Sequence, residues 1–150
     1  MIIKSEKATQ LFSESYNCSQ STLGVFADDL GLSFKQATAI AAGFGAGLCY
    51  QGKTCGAVTG AYMVLGLYSG KQFTEPEMVK ENTYQLIREF NKKFESLHGT
   101  TECKQLLNVD ISTKQGIEQA RTIGLFTTKC PMFVVDAVKI VEKSFEKMKH

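Results

Sequence analysis

Four of the five cysteines, Cys18, Cys55, Cys103 and Cys130, stand where the chain opens four different helices. A helix N-terminus carries the positive end of the macrodipole and several unpaired N–H groups, so it favours an anion, and a thiolate is an anion. Cysteines so placed tend to have depressed pKa values and to act as nucleophiles or metal ligands. Four such starts in 150 residues point to a thiol-based or metal-thiolate site.

The pattern around them is helical, because apolar residues recur at three- and four-residue spacing and period-2 alternation is scarce. Ala8, Leu11, Phe12 and Ser15 share one face of a first helix over 4–16. Asn17 or Cys18 opens a second, with Leu23, Phe26, Ala27 and Leu30 before Gly31 ends it. Ser33 and Gln36 form a capping-box signature for a third, through Ala42. A glycine-rich turn, Gly43 to Gly52, leads to Thr54 as the cap of a fourth helix from Cys55 to about Tyr68. Pro76 suits the first position of a long helix, with Glu75 and Glu77 at its positive end. Val79, Thr83, Leu86, Ile87, Phe90, Phe94 and Leu97 give that helix a buried face, and Tyr62 and Tyr84 read as core. Thr100 or Thr101 caps a short helix holding Cys103, Leu106 and Leu107, and another follows over 113–124. Cys130-Pro131 starts the last, with Val134, Val138, Val141 and Phe145 inward and a Lys-rich end through Lys149. The expectation is one all-α domain over residues 1–150, a bundle of about six or seven helices.

Composition removes several function classes. The formal charge of +2 with interspersed Lys and Glu gives no basic block for nucleic acid and no acidic tail. From Gln36 to Gly70 only Lys53 is charged, yet the two halves are short for spanning and diluted by Gly, Thr and Gln, so membrane insertion is not expected. The start, MIIKSEKATQ, has no apolar core and is no signal peptide, which makes the cytoplasm the default location. Thiols are kept reduced there, and an odd count of five argues against a closed disulfide scaffold.

Two sharper motifs compete with the cysteines. Gly47-Leu48-Cys49-Tyr50-Gln51-Gly52-Lys53-Thr54 matches the phosphate-loop pattern letter for letter, and Met132 to Asp136 resembles its magnesium-binding partner. A phosphate loop needs a buried strand before it and a parallel sheet around it. AIAAGFGA reads instead as the end of a helix, so the match is taken as chance in a glycine-rich turn. A zinc finger lacks its C-x-x-C pair, and only His98 and His150 could add nitrogen ligands. A four-thiolate site converging in space stays open, with zinc, an iron–sulfur cluster or no metal upon it. Cys49 matches no motif position and reads as a small hydrophobe. Gly56 and Gly60 form a small-xxx-small stripe for close backbone approach, of a helix or of a bound cofactor. Lys53 and Lys129, close in sequence to Cys55 and Cys130, would favour thiolate.

Asn17-Cys18-Ser19-Gln20, Cys55-Gly56-Ala57-Val58-Thr59-Gly60-Ala61, Cys103 before Leu106-Leu107, and Cys130-Pro131 together resemble the redox-active C-GCAxxG-C-C family. The label writes Gly before Cys; here Cys55 precedes Gly56. The resemblance runs from Tyr16 to the C-terminus and implies redox activity carried by Cys18, Cys55, Cys103 and Cys130. Members are often encoded near transporter genes, which implies a functional link to a transporter. No reaction comes with the resemblance, and the redox partner stays unnamed.

The leading expectation is a thiol-dependent oxidoreductase in which Cys55 is the nucleophile and Cys18, Cys103 or Cys130 resolves it. The alternative uses the same four thiols as ligands of a metal or iron–sulfur cluster. Both need the four cysteines to converge at one end of the bundle, with at least three sulfurs within roughly 8 Å.

Overall fold

A computed structural model of the chain describes residues 3–148; Lys149 and His150 lie outside the described residues. Among those described there is no strand, and eight right-handed helices run five residues or longer. They are α1 (Lys4–Ser13), α2 (Cys18–Ala27), α3 (Phe34–Ala41), α4 (Gly56–Gln72), α5 (Pro76–His98), α6 (Cys103–Leu107), α7 (Lys114–Thr122) and α8 (Cys130–Met148). The architecture is all-α, as the periodicity requires. No helix among the described residues is long and apolar enough to cross a membrane.

Of the sparsely charged stretch only the second half, α4, lies at the centre of the bundle, where its partner is α2; the first half is largely at the surface, with Ile40 54% and Phe44 39% exposed. In α2 every residue except Gln20 is buried, and the first six residues of α4 are buried without a break. A helix apolar on all sides must be wrapped by others. Accordingly α2 packs most extensively against α4, while α5 and α8 cover the remaining faces of α4. The close approach is made at Gly60, where an added Cβ would lie 2.8 Å from the Ser19 carbonyl oxygen and 2.9 Å from Thr22 Cβ. Phe26, Phe90 and Phe94 are the largest fully buried side chains of the surrounding core.

Helix ends follow the sequence signals in part. Asn17 and Gln20 form a reciprocal capping box at α2, and Ser33 and Gln36 form another at α3. Thr113 accepts from the Gly116 N–H at α7. Pro76 opens α5, and Gly99, at φ 85°, closes it. Thr54 is not a cap: Cys55 itself holds the N-cap position of α4, and no side chain caps it. Neither Thr100 nor Thr101 caps α6, whose N-cap is Glu102. Helix α1 stops at Ser13, short of the expected 16, and Ser15 already has φ 80°.

On α5 the inward face is narrower than its apolar residues suggest. Leu86, Phe90 and Phe94 are buried, Val79, Thr83 and Ile87 half-buried, and Leu97 and Tyr84 exposed at 61% and 53%. Long helices outrun their partners, so apolar residues at the right phase can still meet solvent.

The phosphate-loop match has no phosphate-loop backbone. A 3-10 turn, Ala42–Phe44, precedes it in place of a strand, and Ala46, Gly47, Leu48, Cys49 and Tyr50 all have φ between 55° and 64°. The segment is one turn of left-handed coil. Asp136, the supposed magnesium ligand, is paired with His98 Nε2 at 2.8 Å.

Candidate functional site

The four cysteines are delivered by three devices. Cys18 is the first residue of α2, fixed by the capping box on either side of it: the Gln20 N–H donates to Asn17 Oδ1 at 2.9 Å, and the Asn17 N–H donates to Gln20 Oε1 at 2.9 Å. The same two side chains tie this corner to α3, since Asn17 Nδ2 donates to the Ala42 carbonyl and Gln20 Nε2 to that of Thr38, both at 2.9 Å. Asn17 and Gln20 therefore position the cysteine between them.

Cys55 and Cys103 are brought together by backbone pairing. The Cys55 N–H donates to the Thr101 carbonyl at 2.8 Å, and the Cys103 N–H donates to the Lys53 carbonyl at 2.6 Å. Thr54 and Glu102 form the antiparallel bridge between them. Cys130 opens α8, but Lys129 before it is already helical, so this start runs on from the turn Leu125–Thr128 and lacks a cap of its own.

All four line one cavity of about 580 Å³. Cys18, Cys55 and Cys103 are only 8%, 5% and 6% exposed, while Cys130 is partly buried. Phe12, Tyr16, Phe126 and Phe133 supply much of the wall, and Arg121 reaches it from α7. Gly56 makes room: an added Cβ there would collide with Cys18 Sγ. Gly47, in the left-handed turn, does the same for Cys103, whose Cβ would lie 2.7 Å from such a Cβ. Gly60 does not line the cavity, because α2 covers its face.

Burial, not the helix dipole, sets the ionisation of these thiols. Cys18 is pushed up by burial, against the pull of the backbone N–H groups of Ala46, Ser19, Cys18 and Gly56 around its sulfur. Cys55 is pushed well up by burial and then by charge on Cys18, with the Ala57 and Val58 N–H groups opposing. Burial, with charge on Cys18 and Glu102, takes Cys103 to about 12. Burial, with charge on Cys18 and Cys103, takes Cys130 to about 12. The expected depression of these pKa values is thus reversed, because taking a thiolate out of water costs more than a helix terminus returns. Lys53 and Lys129 do not line the cavity and do not offset this.

The four thiols share one field. Charge on Cys18 is felt by Cys55, Cys103 and Cys130, which makes Cys18 the hub. It also has the most N–H donors, so it is better placed than Cys55 to bear negative charge. Cys49 is exposed and outside the cavity. Among the described residues no three His, Cys, Asp or Glu side chains are arranged to hold a metal ion together.

Sequence reasoning missed the aromatic wall and Arg121. Phe12, Phe126 and Phe133 fit ordinary core spacing, and Arg121 sits in a polar amphipathic helix like any solvated charge.

A protein of Archaeoglobus fulgidus, bearing the name "Uncharacterized protein", is 26% identical over 95% of this chain and 93% of its own length. No solved structure matches. The profile of the family described as "Putative redox-active protein (C_GCAxxG_C_C)" matches residues 16–144, a span that contains all four cavity cysteines. The chain belongs to the C_GCAxxG_C_C family.

Proposed function

We propose that this protein is a thiol–disulfide redox protein of the cytoplasm, whose working couple is Cys18 with Cys55. One observation carries the reading: three buried thiols and the half-buried Cys130, from four separate chain segments, line a single cavity, and charge on Cys18 reaches the other three. Inert buried cysteines have no reason to share one wall. Cys18 is the attacking thiol: burial raises its pKa, but four backbone N–H groups oppose the rise, more than at any of the other three. Cys55 resolves it; its flanking Gly56 lies directly under Cys18 Sγ, and Cys18 is the charge it feels most.

In the reductive direction, the Cys18 thiolate attacks one sulfur of a substrate disulfide. A Cys18–substrate bond forms, the substrate S–S bond breaks, and the departing thiolate takes up a proton. Cys55 then attacks Cys18 Sγ, closing the Cys18–Cys55 disulfide and expelling the second substrate thiolate, which is protonated in turn. Two electrons pass from the protein to the disulfide. Exchange with Cys103 and Cys130, which line the same cavity, returns Cys18 and Cys55 to thiols and leaves the disulfide between Cys103 and Cys130.

Mild oxidation followed by alkylation and peptide mapping tests this. The expected product is a peptide pair joined through Cys18 and Cys55, with Cys49 alkylated. Four thiols that stay free after oxidation would sink the reading. So would one metal or cluster per chain after anaerobic purification, lost in Cys55→Ala; that result would establish the metal-binding alternative.

A further inference from the structure

The cavity also constrains what can exchange electrons with the thiols. A protein disulfide must bring its sulfur into line with an attacking thiolate, which requires that thiolate to stand at the surface. Here Cys18, Cys55 and Cys103 are only 8%, 5% and 6% exposed and line a space of about 580 Å³. That volume falls within the usual range for small-molecule sites, and seven of its sixteen lining residues are aromatic or leucine.

The charge of the ligand follows from the rest of the lining. No acidic residue lines the cavity, and α2 and α4 present their N-termini to it. Arg121 is its one charged lining residue, and among the described residues its guanidinium makes no ion pair or hydrogen bond. An exposed guanidinium over an apolar pocket, with no partner of its own, is a fork for a carboxylate or a similar oxyanion.

Building on the thiol–disulfide reading, we infer that the substrate is a small anionic disulfide, an apolar-bodied molecule whose carboxylate is held by Arg121 while its S–S bond reaches Cys18. The balance is that already given: the small disulfide gains two electrons and two protons and leaves as two thiols, and the protein is left with one disulfide. Arg121 binds and takes no part in the bond changes.

Three small disulfides of similar size test this: 3,3′-dithiodipropionate (anionic), 2-hydroxyethyl disulfide (neutral) and cystamine (cationic). Oxidation of the reduced protein by each is followed at one pH and low salt, every rate being divided by that of free dithiothreitol with the same compound. The anionic reagent is expected to exceed the neutral one by about tenfold, the factor that about 1.4 kcal/mol of charge-assisted binding provides, with cystamine slowest. Arg121→Gln should collapse the anionic-to-neutral ratio to about one, and Arg121→Lys should keep part of it. Equal rates for the anionic and neutral reagents in the natural protein, or a ratio untouched by Arg121→Gln, would overturn the inference while leaving the redox reading in place. Oxidation by the disulfides of insulin as fast as by the small reagents would do the same. If no reagent closes an intramolecular disulfide, the redox reading falls and takes this inference with it.

Discussion

The turn from Gly45 to Gly52 and the helix α5 are built on opposite terms. Helix α5 satisfies its backbone locally, has proline at its first position and glycine after its last, and buries one stripe of Leu86, Phe90 and Phe94. Nothing in it resists its own conformation. In the turn, Ala46, Leu48, Cys49 and Tyr50 all have positive φ, at about 1 kcal/mol or more of strain for each L residue. Its conformation is imposed from outside. The Lys53 N–H donates to the Gly47 carbonyl at 3.0 Å, the Lys104 N–H donates to that of Gly52 at 3.0 Å, and the Tyr50 ring meets Phe126 edge-on at 6.5 Å. The strained segment supplies the Ala46 N–H to Cys18 and passes Gly47 beneath Cys103. Local preference is overruled where the thiols are assembled and obeyed where only packing is needed.

Charging the thiols should break the site first. Cys103 and Cys130 ionise at about 12 in the folded chain against an ordinary 9.0. A thiol with a raised folded pKa contributes its full stability below 9, and that contribution is lost as pH rises from 9 towards 12, because the unfolded chain releases the proton first. The two together should cost about 3 kcal/mol by pH 10. Urea unfolding at pH 8 and pH 10 measures this, and Cys103→Ala with Cys130→Ala should flatten the slope. Equal pH dependence in the natural and doubly substituted chains would show that burial does not hold these thiols neutral.

A gentler probe uses one substitution twice in α4. Gly56→Ala drives a Cβ into Cys18 Sγ and to within 3.0 Å of Gly45 Cα, and should destabilise by about 2 kcal/mol. Gly66→Ala, ten residues later, meets only Thr83 Cγ2 at 3.9 Å and should stabilise by up to about 1 kcal/mol, the usual gain of alanine over glycine inside a helix. Opposite signs in denaturant unfolding are expected. If Gly56→Ala were neutral, the cavity wall would be looser than its contacts indicate.

This contrast also explains what could be read from the chain. Helices α2, α3, α5 and α8 announce themselves through Asn17, Ser33, Pro76 and the spacing of Val134, Val138 and Val141, because those signals are local. The glycine stripe at Gly56 and Gly60 was legible as close approach, but Cys18 as the neighbour over Gly56 was not, since that contact joins residues 38 positions apart. The sign of the thiol pKa shifts was misread for a related reason. A helix start is visible in sequence, whereas desolvation depends on what the rest of the fold packs around it. Arg121 was invisible because its role depends on which wall α7 joins. Left-handed backbone at Ala46, Leu48, Cys49 and Tyr50 runs against every propensity those residues carry.

The smallest effect isolates that left-handed turn. Cys49 is exposed, lies outside the cavity and has φ 59°, so Cys49→Gly removes a side chain that does little and a strain that is real. Glycine occupies positive φ without the Cβ clash, but it also widens the unfolded ensemble, which offsets part of the gain. The net expectation is stabilisation by about 0.5 kcal/mol. The matched control is Glu89→Gly on the exposed face of α5, where glycine relieves nothing and should cost about 1 kcal/mol. Urea midpoints should therefore move in opposite directions for two exposed residues changed to the same amino acid. A loss at Cys49 as large as that at Glu89 would mean the turn is not held against its preference. The strain would then be no part of how the four thiols are brought to one cavity.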